Sequence, residues 1–99
     1  MEISAHELKS RISAKEELTI LDVRDALEFY TFNIGGTNIP VGKLTKTADL
    51  DFEKEDELVV VCQRGIRSRT ACRLLHSMGY KNVKNLTGGL LALQRINNE

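Results

Sequence analysis

An α/β fold is what this sequence predicts: a small, mainly parallel β-sheet of about four to five strands, flanked by helices on both faces. Three observations carry it. Leu58-Val59-Val60-Val61 is an unbroken apolar run, the pattern of a strand buried on both faces. A helical pattern follows after a short loop, with Ala71, Leu74, Leu75 and Met78 at i, i+3, i+4 and i+7. Weaker strand and helix patterns alternate on either side of this unit, which is the signature of a parallel sheet covered on both sides.

Taken in order, Ile3-Ser4-Ala5-His6-Glu7-Leu8 reads as a helix entry. Ser4 and Glu7 have capping-box spacing, and Leu8 and Ile12 supply the apolar face. Thr19 to Val23 reads as a short buried strand ending in the polar group Asp22, Arg24 and Asp25, where a parallel strand delivers functional side chains. Asp25 is placed to cap a brief helix bearing Leu27, Phe29 and Tyr30, with Glu28 at N3. Gly35-Gly36 marks a turn, and Thr37-Asn38-Ile39 a short strand stopped by Pro40, the only proline. Residues 41 to 57 are polar and weakly patterned and predict at most a short helical turn. After the central strand and its helix, Gly79 suits the C′ position. Lys81 to Leu86 gives a further strand centred on Val83, Gly88-Gly89 breaks it, and Leu90, Leu91, Leu93 and Ile96 outline a last helix. Residues 1–99 read as one domain, without an internal repeat or low-complexity tract.

Composition narrows the function classes. Fourteen Lys and Arg balance fourteen Asp and Glu, so bulk attraction to nucleic acid or to an anionic membrane is not expected. The neutrality hides an asymmetry. Asp49, Asp51, Glu53, Glu55, Asp56 and Glu57 form an acidic run, read as a solvated linker face. Arg64, Arg67, Arg69 and Arg73 crowd the region after Cys62, read as an anion-attracting group around a nucleophile. No apolar segment is long enough to span a bilayer, and the N-terminus lacks a signal-peptide pattern. Two cysteines, Cys62 and Cys72, are too few for a disulfide scaffold, so reduced thiols in a cytoplasmic setting are expected. His6 and His76 have no ligand spacing, and neither a metal nor a cofactor is expected.

The chemistry concentrates where the central strand meets its helix. The first helical N–H groups lack internal partners, so the loop Cys62-Gln63-Arg64-Gly65-Ile66-Arg67-Ser68 is an anion site that holds a thiol. A thiol placed there ionises more easily than a free cysteine, whose pKa is about 8.5. A cysteine ending a buried strand is otherwise often a small hydrophobe; the glycine, the flanking arginines and the helix start favour a reactive Cys62. Cys72, within the helix beside core positions, reads as core. Gly88-Gly89 reads as a turn rather than a phosphate loop.

These pieces together resemble the rhodanese-type sulfurtransferase family over nearly the whole chain. The matching stretches are Leu21-Asp22-Val23-Arg24 with Glu28-Phe29, then Ile34-Gly35-Gly36-Thr37-Asn38-Ile39-Pro40, then Val59 to Ser68, Gly79-Tyr80 and Gly88-Gly89. The family often has Gly-His where this chain has Phe32-Asn33, a departure that touches local packing or surface. The resemblance implies a rhodanese-like fold and a sulfurtransferase that takes a sulfane sulfur onto Cys62 as a persulfide and passes it to an acceptor nucleophile. It implies a small anionic donor such as thiosulfate, and an acceptor that includes a sulfur-carrier protein. Gln63, Arg64, Gly65, Ile66, Arg67 and Ser68 then form the substrate-binding loop. Gly65 lets the backbone curl round sulfur, Arg67 binds the leaving sulfite or incoming anion, and the exposed Arg64 selects substrate or partner. Asp22 and Arg24 brace the site, with Arg24 expected to pair with Glu28, although a merely structural Asp22–Arg24 ion pair is an equal reading.

Two alternatives remain open. Cys62 to Arg67 counts six residues; related phosphatases have one more between cysteine and arginine, which widens the cradle for phosphate, so a Cys-dependent phosphatase is the less favoured enzyme. The other alternative is a partner-dependent persulfide relay or recognition module, including a domain excised from an enzyme that activates sulfur carriers.

Overall fold

The computed structural model describes residues 1–45 and 50–98. Five strands and four helices follow in the order β1 (Glu2–Ile3), α1 (Ala5–Ser13), β2 (Ile20–Asp22), α2 (Ala26–Thr31), β3 (Thr37–Asn38), β4 (Glu57–Val61), α3 (Ile66–Ser77), β5 (Asn82–Leu86) and α4 (Gly89–Asn97), with a 3-10 turn at Val41–Lys43. The sheet has the spatial order β1-β5-β4-β2-β3, and every adjacent pair is parallel.

Strand β4 lies at the centre, where its unbroken apolar run is buried on both faces. Leu58, Val59, Val60 and Val61 are each fully inaccessible, and the strand period sends them alternately to opposite sides. Leu58, Val60 and Cys62 join a core with Leu21, Ala71, Leu75 and Val83 beneath α3. Val59 and Val61 join a second core with Ile3, Leu8, Leu90 and Leu93 beneath α1 and α4. Cys62 therefore points to the α3 side because it is in phase with Leu58 and Val60.

Each helix is bounded by the chemistry its ends require. Ser4 Oγ accepts the N–H of Glu7 at 3.0 Å, capping α1. Helix α3 stops in a Schellman arrangement: Gly79 N–H donates to His76 O at 3.0 Å and Tyr80 N–H to Leu75 O at 3.1 Å.

Three expectations are corrected here. Residues 2 and 3 form an edge strand before the α1 cap; a two-residue strand carries no period to read. The acidic run is not uniformly solvated. Glu57 opens β4 and is half-buried, with Arg11 donating to it at 3.0 Å and Lys84 bonded to it as well. Asp49 of that run lies outside the described residues. Finally, the cysteine loop is shorter than Cys62 to Arg67, since Ile66, Arg67 and Ser68 already form the first turn of α3.

Candidate active site

The C-terminal end of β4 delivers Cys62 into a tight turn, residues 62–65, that opens α3. Gly65 sits at the helix N-cap with φ +87, a left-handed conformation suited to glycine. That turn aims backbone donors inward. The N–H of Gly65 donates to Cys62 Sγ at 3.1 Å and the N–H of Ser68 at 3.3 Å. These are donors the helix itself cannot use, and they supply partial positive charge where a thiolate would sit.

The thiol is biased accordingly. Burial pushes Cys62 up, but the hydrogen bonds its thiolate accepts, from the Ser68 hydroxyl and from the N–H groups of Ser68, Gly65 and Arg64, outweigh it and leave the thiol below its ordinary value. Cys72 has no such cradle. It is buried in α3, and desolvation pushes it up to about 11. The two thiols are free, and the sequence reading of Cys72 as core agrees with its place among Leu21, Ala71 and Leu75.

Above Cys62 lies a cavity of about 330 Å³ lined by Glu28, Gln63, Arg64, Ile66 and Arg67. Arg64 is exposed and has no carboxylate partner among the described residues. Arg67 does have one. Its guanidinium grips Glu28 in two parallel bonds of 2.6 and 2.9 Å. That pairing holds the Glu28 carboxyl at about 2, well below the usual carboxylate range. The expected Arg24–Glu28 pair is thus not formed. Arg24 folds back instead onto Asp22 at 2.7 Å and donates to Phe32 O at 2.6 Å. The two-residue separation at a strand end brings Asp22 within reach, whereas Glu28 faces the cradle from α2. Asp22 and Arg24 are 0% and 2% exposed and stand beside β4, where Val23 N–H donates to Val61 O at 3.0 Å. Their place is against the strand that carries Cys62, not in the cavity above it.

The arginine group is also divided. Arg64 and Arg67 face the Cys62 cavity, while Arg69 and Arg73 line a separate cavity with Met1, Glu2, Cys72 and His76 on the other flank of α3. Helical geometry explains the split, because residues two apart on a helix diverge by about 200°.

Two features escaped the sequence. Glu28 reads in the sequence as a capping residue and as a partner for Arg24, and nothing local points to its grip on Arg67, thirty-nine residues away. Gly88-Gly89 is a turn, as expected, but it also seats α4 on the cysteine loop. The N–H groups of Leu90 and Leu91 donate to Cys62 O at 2.8 Å and Gln63 O at 3.0 Å. A Cβ on Gly89 would lie 2.4 Å from Gln63 O, so only glycine allows this approach.

This geometry has counterparts in known proteins. The profile of the rhodanese-like domain matches residues 4–95. The chain belongs to the rhodanese-like domain family. A sulfurtransferase of Allochromatium vinosum is 30% identical over 95 residues, covering 95% of this chain and 88% of that protein. The Bacillus subtilis protein YrkF is 36% identical over 90 residues, covering 90% of this chain and 48% of its own length, so the chain spans about half of that relative. The rhodanese-like domain of Anabaena Alr3790 superposes with a TM-score of 0.86 at 34% identity, covering 96% of this chain and 74% of that one. The all-parallel sheet with helices on both faces is the architecture predicted from the sequence. No helix among the described residues is long and apolar enough to cross a membrane.

Proposed function

We propose that this chain is a sulfurtransferase that carries sulfane sulfur as a persulfide on Cys62. The observation that bears most weight is the convergence of the Gly65 and Ser68 N–H groups on Cys62 Sγ, at 3.1 and 3.3 Å, beneath a cavity that carries arginines. The similarity to the Allochromatium vinosum sulfurtransferase supports the same reading.

In the proposed reaction the Cys62 thiolate attacks the outer sulfur of thiosulfate. A new S–S bond forms, the donor's S–S bond breaks, and sulfite leaves with the bonding pair. The resulting outer persulfide sulfur is an anion, held as the thiolate was by N–H donors that need no reorganisation. An acceptor nucleophile then attacks that sulfur, and the S–S electron pair returns to Cys62 as thiolate. Arg64, which has no carboxylate partner among the described residues, meets the anionic donor first. Arg67 spends two of its five N–H groups on Glu28 and keeps the others for the departing sulfite. Ile66, 68% exposed on the rim, offers apolar contact to a larger donor or a docked acceptor protein.

The N–H groups of Gly65 and Ser68 close on the sulfur itself, which favours an anion on that sulfur over the three oxygens of a transferring phosphoryl group. Steady-state transfer from thiosulfate to cyanide tests the proposal. Thiocyanate formation should vanish in Cys62→Ser and persist in Cys72→Ser, with no hydrolysis of an aryl phosphate by the unaltered protein. Cys62-dependent phosphate hydrolysis without sulfur transfer would replace the proposal with the phosphatase reading.

A further inference from the structure

Beneath the cradle, on β5, Asn85 is 1% exposed and bonded at both ends of its carboxamide. Its Nδ2 lies 3.2 Å from Gly65 O and 3.3 Å from a Glu2 carboxylate oxygen. Both neighbours can only accept, so this end must be the NH2 group. The other end is then Oδ1, which can only accept, and its partner is the Ser68 hydroxyl. Ser68 has one hydroxyl proton, and Asn85 takes it. The Cys62 sulfur, 3.2 Å from the same Ser68 oxygen, must therefore be the donor in that contact. The arrangement describes an S–H group at rest, pointing at Ser68.

A thiolate cannot make that bond. When Cys62 loses its proton to water through the open cavity, Ser68 assists only by turning its O–H from Asn85 to the sulfur. The turn leaves Asn85 Oδ1 buried without a donor. The backbone N–H groups of Gly65 and Ser68 donate to sulfur in either state, so this turn is the part of the cradle that changes with charge.

We propose that Asn85 is a positioning residue for the reactive cysteine: it fixes the direction of the Ser68 hydroxyl, favours the resting thiol, and releases that hydroxyl when Cys62 becomes an anion. The proposal rests on Cys62 being the reactive sulfur but not on the donor or acceptor it uses. Its test therefore reads ionisation rather than sulfur transfer.

The experiment follows the pH dependence of Cys62 alkylation by iodoacetamide, with the labelled peptide identified by mass. Asn85→Leu frees the hydroxyl to face sulfur, so the midpoint should fall and the thiolate fraction below it should rise about threefold or more, equivalent to about half a pH unit. Asn85→Asp keeps an acceptor for Ser68 and adds negative charge, so the midpoint should rise. In a Ser68→Ala background the Asn85→Leu shift should vanish. Persistence of the full shift there would assign the effect to the Gly65 carbonyl and overturn the proposal, as would unchanged midpoints in both Asn85 variants. A second measurement, independent of Asn85, guards against Asn85 variants that fail to fold. The infrared S–H stretch of Cys62, isolated by difference against Cys62→Ser below the midpoint, should move to higher frequency in Ser68→Ala. An identical band in the two would show that Ser68 does not accept the thiol proton, and would sink the idea independently.

Discussion

Cys62 and Cys72 are both buried and lie ten residues apart, yet their surroundings differ in the one respect that governs thiol chemistry. One meets converging N–H groups; the other packs against Leu21, Ala71 and Leu75 and lines a cavity with Glu2, Arg69 and Arg73. Desolvation pushes Cys72 up to about 11, while hydrogen bonds to its sulfur hold Cys62 below the ordinary cysteine value. Cys62 therefore carries the larger thiolate fraction near neutral pH. Iodoacetamide at neutral pH should label Cys62 many times faster than Cys72, as read from the masses of the two peptides. Comparable labelling would remove the basis for a specially reactive Cys62. At this scale the sequence was legible where the chemistry is local. Cysteine, glycine and arginine lie within six residues, from Cys62 to Arg67, and the strand and helix patterns around them are strong. Glu28 and Asn85 were not legible as site residues, because their partners lie thirty-nine and seventeen residues away. Asn85 did leave a faint mark: it stands two residues from Val83 on the core face of a strand, where an apolar residue is the ordinary choice.

The elements hold the cradle from two sides. On one, the N-terminus of α4 grips the carbonyls of Cys62 and Gln63, and Gly89 makes that approach possible at φ +67. Gly89→Ala would place a methyl 2.4 Å from Gln63 O. The loop must then shift, and sulfur transfer should drop by roughly a hundredfold, the scale of an ångström-sized misplacement. Circular dichroism would confirm retained structure, and an undiminished rate would show that the α4 contact does not shape the loop. On the other side, the buried Asp22–Arg24 pair stands against the end of β4. Removing one partner leaves an uncompensated buried charge, so Asp22→Ala should cost about 3–5 kcal/mol in denaturant unfolding. A loss under about 1 kcal/mol would argue against this bracing role. The helices and central strand were legible because their periods are long and unbroken. Strand β1 was not, and neither was the dual use of Gly88-Gly89, whose turn signal hides what the turn packs against.

Across the whole molecule, acid should act through carboxylates that ion pairs hold down. Glu28 is lowered to about 2 chiefly by its hydrogen bonds from Arg67, and Glu57 to about 2 by those from Arg11 and Lys84, each from an ordinary 4.5. A depressed folded-state value means that the stabilisation is fully present above about 4.5 and is lost as pH falls towards about 2. Unfolding midpoints in denaturant should therefore decline through that window. The decline should be shallower in Glu28→Gln and Glu57→Gln, each from a lower starting stability. A flat profile in the unaltered protein would mean that these pairs contribute nothing to folding. The fold was legible at this scale because one fully buried strand must take the centre of a parallel sheet, and the rest of the chain has to cover it. What could not be read was the division of the arginines between two flanks of α3, which depends on how that helix is rotated against the sheet.

The proposed reaction requires Cys62 to hold a transferable sulfur. Intact-mass spectrometry of the protein after incubation with thiosulfate reads that state without a coupled assay. A gain of one sulfur atom is expected, removed by cyanide, retained in Cys72→Ser and absent from Cys62→Ser. A gain that survives in Cys62→Ser and disappears in Cys72→Ser would place the sulfur on the wrong cysteine and contradict the proposed reaction.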